Sequence, residues 1–505
     1  MPQTLSHALA HAPSDFINGR WIELSGDSIV STNPANPSEV LWRGGSRMSH
    51  VDDAVRAARE AFPAWAATSL EDRIAALRRW QKVTTQHAET LAGLITDEMG
   101  KTLAESLFEA KALAGKVDIT LDDYSIGRVS EYEVAVSATR AGLCKFKPHG
   151  VMAVVGPFNF PAHLANGHFV PALLMGNTIV FKPSEKTPAV GQMLAQMMEE
   201  AALPRGVFNL VQGAGDVAAK LVSHADINGI LFTGSWAVGR RILEANLDHP
   251  GRIIALEMGG NNPTVVMNDA HMKQAVLECV RASFATTGQR CTCTRRILVQ
   301  RGIADRFIRA FCKATSTLLV GPGRSAEPVF MGPLVSEQAV DAVLAFQRDL
   351  VKAGGNVLLE ASRIETPSRG HFISPGVVEV ERFTLDRDCE VFGPLAQISV
   401  FDSLDEAIVQ ANATQYGLAA SIFTTSDAAY EQFFRECRAG CINRNTGTAG
   451  ASSKLPFGGL GHSGNNRPAG AYSVDYCAYP VANMIEKSDA AAVPEGVNWD
   501  DAWLS

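Results

Sequence analysis

Between residues 51 and 115 apolar positions recur at helical spacing. In "VDDAVRAAREAF" Val51, Ala54, Val55, Ala58 and Phe62 fall on one face, and a longer pattern of the same kind starts at Leu70. The chain is therefore expected to open with helices. After residue 150 the texture changes to short apolar runs, "VMAVV", "TIVF", "VFNLV", "GILFT" and "IIALE", separated by stretches of helical character such as "AVGQMLAQMMEEA" and "DVAAKLVSH". This alternation predicts βαβ units and a parallel sheet covered on both faces, the plan of a doubly wound nucleotide-binding domain. Beyond about residue 258 it resumes with "TVVM", a helix from His271, "RILVQ", a helix from Ala304 and "AQISVF", which predicts a second α/β domain. Extended patterns at 131–148 and 473–484 are expected to meet in a small accessory sheet, and the acidic tail after Ser488 to be loosely held.

Composition narrows the function classes. The 505 residues call for two or three domains, and 45 basic against 53 acidic residues leave a net charge of -8, no footprint for nucleic acid or an anionic membrane. Small ligands or protein partners fit better. Nine cysteines at irregular spacing argue against a secreted disulfide framework, and "MPQTLSHALAHAPSDF" has neither a basic leader nor a long apolar run. The expected location is the cytoplasm. From Pro148 to Phe181 there is no Asp, Glu, Lys or Arg, yet Pro157, Asn159, Pro161, Asn166, Pro171, Gly176 and Asn177 interrupt the run too often for a membrane span.

Several short motifs carry candidate chemistry. "GLGHSG" fits G-x-G-x-x-G, but no strand precedes it and no helix follows, so it reads as a loop. "GAGDVA", from Gly213, follows the strand-like "VFNLVQ"; a tight turn without ligand reads almost as well. In "FTGSWAVG" a strand ends at Thr233 and Gly234, Ser235 and Gly239 open a helix near Trp236, whose free amides suit a pyrophosphate. "FKPSE" sets Lys182 and Glu185 just past another strand, at the edge where open α/β sheets bind ligands. Each alone reads as a solvated loop, whereas together they favour a nucleotide.

"ATTGQRCTCTRR" sets Cys291 and Cys293 one residue apart. No second cluster completes a zinc site, and a disulfide between them would close a strained ring, so no metal is expected. Cys293 reads as an inert buried thiol. Cys291 reads either that way or as a reactive one, because Arg290 and free amides after the Thr-Gly break would favour thiolate. Glu257 ends an apolar strand in "ALEMGGNNP", where burial would raise its pKa toward that of a general base; its plain alternative is a solvated strand end. Asn159 in "GPFNFP" can donate to an oxyanion or merely cap the turn.

Read in order from Gly156 to Gly464, "GPFNFP", "FKPSE", "FTGS", "LEMGGNNP", "GQRC", "EVFGP" and "PFGGLGHSG" resemble the aldehyde dehydrogenase family, and the likeness extends from "FINGRW" to the region near residue 484. The resemblance implies an α/β chain of three parts: a Rossmann-like NAD domain (15–125 and 148–257), an α/β catalytic domain (258–472) and a small oligomerisation sheet (126–147 and 473–488), followed by a tail (489–505). It also implies roles: Cys291 as nucleophile, Glu257 as general base, Asn159 as oxyanion donor, Lys182 and Glu185 as adenosine-ribose contacts, Gly213, Gly234, Ser235 and Gly239 near the pyrophosphate, and Glu390 with Phe392 at the nicotinamide ribose. NAD is expected over NADP, since Glu185 would repel a 2′-phosphate. The implied partners are a small-molecule aldehyde and further copies of the chain, as a dimer or tetramer.

More local features, "GHFVPALLMGNT", "GQRCTCTRR", "PFGGLGHSGNNRPA" and "DYCAYP", are similar to a branch that oxidises the 5-semialdehyde of N-succinylglutamate to the acid in bacterial arginine catabolism. Such a substrate carries several carboxylates and implies a cationic funnel, with Arg290, Arg444, Arg467 and Lys454 as candidates. The sequence departs from that branch at "NRNTGTAGASSK", where Arg444 replaces an expected aromatic and Thr446-Gly447 an expected Lys-Pro. Other semialdehydes, a broad aldehyde range and transfer to coenzyme A are the alternatives.

Overall fold

The computed structural model describes residues 9–505; the start of the N-terminal stretch read as leaderless lies outside them. The described residues do not open with helices. Two antiparallel hairpins, Ser14–Ile17 with Arg20–Glu23 and Ile29–Asn33 with Asn36–Gly44, precede the first helix, Ser49–Ala67. The first hairpin turns at Asn18 and Gly19, both with positive φ (51° and 71°), which is the Asn-Gly signature of a two-residue hairpin. The first hairpin's strands are four residues long and the second's, of five and nine residues, pair with two register shifts, so neither writes an alternation that competes with the long helical pattern behind them.

Helices Leu70–Gln86, Ala88–Met99 and Leu103–Leu121 follow. The last is capped by Thr102, whose hydroxyl accepts from the Glu105 N–H at 3.3 Å. The apolar runs after residue 150 then build a seven-stranded sheet. Its order is Ile253–Glu257, Gly229–Thr233, Val151–Val155, Thr178–Lys182, Phe208–Leu210, Ser14–Ile17, Arg20–Glu23; the first five strands are parallel and the N-terminal hairpin adds an antiparallel edge. Side chains alternate between two cores: Met152, Val154, Ile179 and Leu231 face one layer, and Val151, Ala153, Val180 and Ile230 the other. Period-two alternation with both faces apolar explains why these strands read as continuous apolar runs.

A second seven-stranded sheet runs Asn356–Leu359, Gly376–Glu379, Leu395–Phe401, Thr294–Gln300, Asn262–Val266, Ala419–Phe423, Cys441–Arg444, parallel except at its first pair. A third sheet is antiparallel: Ala478–Glu486 pairs with Arg140–Pro148 over nine residues, and Tyr132–Ala135 adds the outer strand. The carboxyl ends of the first sheet's strands lead into the loops at Gly156, Pro183, Gly234 and Met258, and the last of these crosses into the second sheet. Among the described residues no helix is long and apolar enough to cross a membrane, and no group of three His, Cys, Asp or Glu side chains is arranged to hold a metal.

Candidate functional site

The site grows from strand ends. Strand Val151–Val155 delivers the "GPFNFP" loop, in which Asn159 is buried and its Nδ2 donates to the Gln289 carbonyl at 3.1 Å. Gln289 stands two residues before Cys291, so the amide and the thiol segment are in direct register. Cys291 follows a turn in which Thr286, Thr287 and Gly288 all have positive φ (55°, 55° and 70°). Its carbonyl accepts from Asn262 Nδ2 at 2.7 Å, and the Cys293 carbonyl accepts from the same group at 2.8 Å. Cys293 is fully buried, as its reading implied.

Glu257 ends strand Ile253–Glu257, 5% exposed, with its carboxyl beside Gly458 and neither oxygen hydrogen-bonded among the described residues. Burial holds its pKa well above the ordinary 4.5; the Ala469 N–H opposes the shift without reaching hydrogen-bond geometry. The Cys291 thiol is pushed up to about 12 by burial, then by the carboxylates of Glu390 and Glu257, while Arg295 pulls the other way. The expected thiolate-favouring role of Arg290 is not what the structure displays. Arg290 turns from the thiol: its Nε donates to Thr286 Oγ1 at 2.7 Å, its Nη2 lies 3.1 Å from Glu105, and its guanidinium sits 5.2 Å from the Phe160 ring centre.

The predicted cofactor residues line the adjoining strand ends. Lys182 is buried, donates to the Gly213 carbonyl at 2.8 Å and lies 3.6 Å from the exposed Glu185 carboxylate. Ser235 caps helix Trp236–Glu244, its hydroxyl accepting from Val238 N–H at 3.4 Å. Gly213, Gly234 and Gly239 sit where a Cβ would strike Val217, the Phe232 ring and the Met258 sulfur. Glu390 accepts from the Gly260 N–H at 2.9 Å and fills the space a Cβ on Gly259 would need. Phe392 meets Phe158 edge to face at 5.9 Å, joining the "EVFGP" loop to the loop that carries Asn159. Among the described residues the Lys182 ammonium has two partners for its three hydrogens, and the Trp236 and Ala237 amides of the Ser235-capped helix donate to no partner, whereas Val238 N–H is held by Ser235; a donor set of this kind fits the hydroxyls and phosphates of a dinucleotide.

The candidate funnel is less convergent. Arg444 is spent on the fold: Nη1 meets Asp427 at 2.6 Å, Nη2 and Nε donate to the Thr425 and Thr424 carbonyls at 3.0 and 3.4 Å, and Tyr430 lies 5.2 Å away. A cation so placed ties strand Cys441–Arg444 to the start of helix Asp427–Glu436. Arg467 and Lys454 are exposed. Arg467 precedes Pro468, which packs on Gly458 beside the Glu257 carboxyl. Asn262, Gln289, Arg295 and Glu105 were not singled out from the sequence, although Asn262 lies in "GGNNP" and Gln289 and Arg295 in "GQRCTCTRR".

A model of the aldehyde dehydrogenase family matches residues 21–481. The chain belongs to this family. It is 43% identical over 95% of its length to the N-succinylglutamate 5-semialdehyde dehydrogenase of Chromobacterium violaceum, covering 97% of that protein. It is 44% identical over 93% of its length to the enzyme of the same name from Caulobacter sp. strain K31, covering 96% of it. Among solved structures, an indole-3-acetaldehyde dehydrogenase complexed with NAD+ superposes with a TM-score of 0.90 at 30% identity, across 95% of this chain and 98% of that one. An NADP-dependent enzyme of E. coli gives 0.89 at 31% identity, across 95% of this chain and 99% of that one. The fold is that of the aldehyde dehydrogenase family, an oxidoreductase fold.

Proposed function

We propose that this chain oxidises N-succinylglutamate 5-semialdehyde to N-succinylglutamate with NAD, using Cys291, Glu257 and Asn159. The observation that carries the chemistry is a buried carboxyl without partners at Glu257, within electrostatic reach of the Cys291 thiol, whose segment is bonded to Asn159. The relatives of that name support the substrate.

The Cys291 thiol gives its proton to water, and the resulting thiolate attacks the aldehyde carbon, forming a C–S bond as the carbonyl π pair passes to the oxygen. The new oxyanion is held by the second N–H of Asn159 Nδ2 and by the Cys291 backbone N–H. NAD, when bound against Lys182, Glu185, Ser235, Glu390 and Phe392, supplies a hydride acceptor. The thioester left on Cys291 is then hydrolysed: Glu257 takes a proton from the attacking water, the C–S bond breaks, and the free acid leaves. Glu257 also argues for water over coenzyme A as the acyl acceptor. Glu185, exposed beside Lys182, favours a ribose hydroxyl over a 2′-phosphate, so catalytic efficiency with NAD should exceed that with NADP.

The test is steady-state NAD reduction with N-succinylglutamate semialdehyde, succinate semialdehyde and a simple aliphatic aldehyde, for wild type and Cys291→Ala. Strong preference for the succinylated substrate, free acid as product and loss in the variant are expected. A wide preference for the aliphatic aldehyde would overturn the substrate, and a fully active variant would overturn the nucleophile.

A further inference from the structure

Helix Leu103–Leu121 lies outside both parallel sheets, yet two of its carboxylates reach into the site. Glu105 Oε1 accepts from the Thr286 N–H at 2.8 Å, from the Thr286 hydroxyl at 2.8 Å and from Arg290 Nη2 at 3.1 Å. The loop is closed by Arg290 Nε, which donates back to Thr286 Oγ1 at 2.7 Å. One turn later Glu109 Oε1 accepts from the Ala162 and His163 N–H groups at 3.0 and 3.1 Å, and Glu109 Oε2 pairs with the buried Lys101 at 2.5 Å. Lys101 Nζ in turn sits 3.3 Å from the ring centre of Phe160, next to Asn159.

Thr286 and Thr287 both sit in the left-handed region, which β-branched residues avoid at a cost of about 1–3 kcal/mol each. Such a turn persists only where its surroundings hold it. Thr287 is held by its hydroxyl on the Gly332 carbonyl at 2.9 Å, and Thr286 by Glu105 and Arg290. The same turn leads through Gln289, whose carbonyl takes the Asn159 amide, to Cys291.

We propose that Glu105 is a positioning residue for the reaction: by fixing the strained Thr286–Thr287 turn it sets the Cys291 segment against Asn159, while Glu109 anchors the Asn159 side from the same helix. The proposal rests on the roles given above to Cys291 and Asn159. Glu105 touches no reacting atom and acts through their register.

The test is a double-mutant cycle of Glu105→Ala with Asn159→Ala, read as kcat and KM for the aldehyde, with melting temperature followed alongside and Cys291→Ala as control. Glu105→Ala is expected to lower kcat about 10- to 100-fold with KM little changed, as a displacement of roughly an ångström does. In the Asn159→Ala background the further loss should shrink to about 3-fold or less, because the register it protects no longer matters. Glu105→Gln, which keeps an acceptor oxygen for Thr286, should recover part of the rate; it also carries the cycle if the alanine variant does not fold. Multiplicative losses in both backgrounds, or a kcat loss that only tracks the folded fraction, would overturn the proposal. Wild-type turnover in Cys291→Ala or Asn159→Ala would instead overturn the site reading beneath it.

Discussion

Burial disfavours charge on both Glu257 and Cys291, which lie within electrostatic reach of each other. A carboxyl whose folded pKa lies above its unfolded value of about 4.5 keeps its proton in the folded chain while the unfolded chain has lost it, so unfolding releases a proton. Stability conferred in acid is thus lost as pH rises above the unfolded value and through the folded one. Glu257→Gln does not titrate, so its melting temperature should exceed that of wild type near pH 8, with the gap narrowing toward pH 4. A gap constant with pH would contradict the titration argument. The same variant should slow steady-state turnover by about 100-fold or more while keeping the initial burst of reduced cofactor in stopped flow, because only thioester hydrolysis needs the base. For Cys291, a thiol pushed up to about 12 has no thiolate plateau near neutrality. In the protein free of cofactor, iodoacetamide alkylation at Cys291 should rise about tenfold per pH unit through pH 9. A plateau at neutral pH would mean that a cation reaches the thiol after all. Arg290 was read as that cation because it is the sequence neighbour of Cys291, but its side chain goes to Glu105, 185 residues away in sequence.

Strand Thr294–Gln300 illustrates what an element hides from its sequence. "TRRILVQ" begins with two arginines that look like a polar edge, yet both are buried and alternate across the sheet. Arg295 donates to the Gly288, Gly393 and Arg290 carbonyls, so it stitches the turn before Cys291 to the "EVFGP" loop. Arg296 points the other way: Nε donates to the Asn261 carbonyl at 2.8 Å, and Nη1 and Nη2 to the Gln410 and Ala411 carbonyls at 3.0 and 2.9 Å, closing the C-terminus of helix Leu404–Ala411. Arg296→Ala leaves these buried carbonyls without donors, each worth about 1–3 kcal/mol. We expect a loss of about 3 kcal/mol or more, measured by denaturant unfolding, whereas a change under 1 kcal/mol would mean that water replaces the guanidinium. The strands and helices after residue 150 were legible because burial on both faces writes continuous apolar runs, and so were the strand ends that bear Glu257 and Lys182. The opening hairpins and the long-range partners of Glu105, Asn262 and Arg295 were not. Four-residue strands carry little periodicity, and contacts made by single polar side chains across 29 residues (Asn262 to Cys291), 98 (Arg295 to Gly393) or 185 (Glu105 to Arg290) leave no local pattern.

At the scale of the whole molecule, the accessory sheet is the part whose purpose the single chain does not satisfy. Val134 and Val136 of the outer strand and its continuation converge with Met484 over Gly142, where even a Cβ would touch all three. Val134, Val136 and Met484 are 50%, 53% and 61% exposed, and Tyr132, two residues before Val134 on the same face, is open as well. Contiguous exposed apolar patches are the material of association surfaces. A sheet with three strands also leaves an unpaired edge, which natural proteins cover. Two separate parts of the chain, paired through Ala478–Glu486 and Arg140–Pro148, build this surface; Ala478 and Phe146 anchor the sheet to the first core, whereas Val134, Val136 and Met484 belong to none of the cores. An association through this surface would contribute to stability without supplying the chemistry. The expected outcome is a homo-oligomer in sedimentation velocity at micromolar concentration. The pair Val134→Lys with Met484→Lys should shift it to a smaller species while a fresh sample keeps the wild-type KM, because no residue of the patch touches Cys291, Glu257 or Asn159. If wild type sediments as a monomer, the patch has another partner; if the doubly substituted chain keeps the wild-type mass, the interface lies elsewhere.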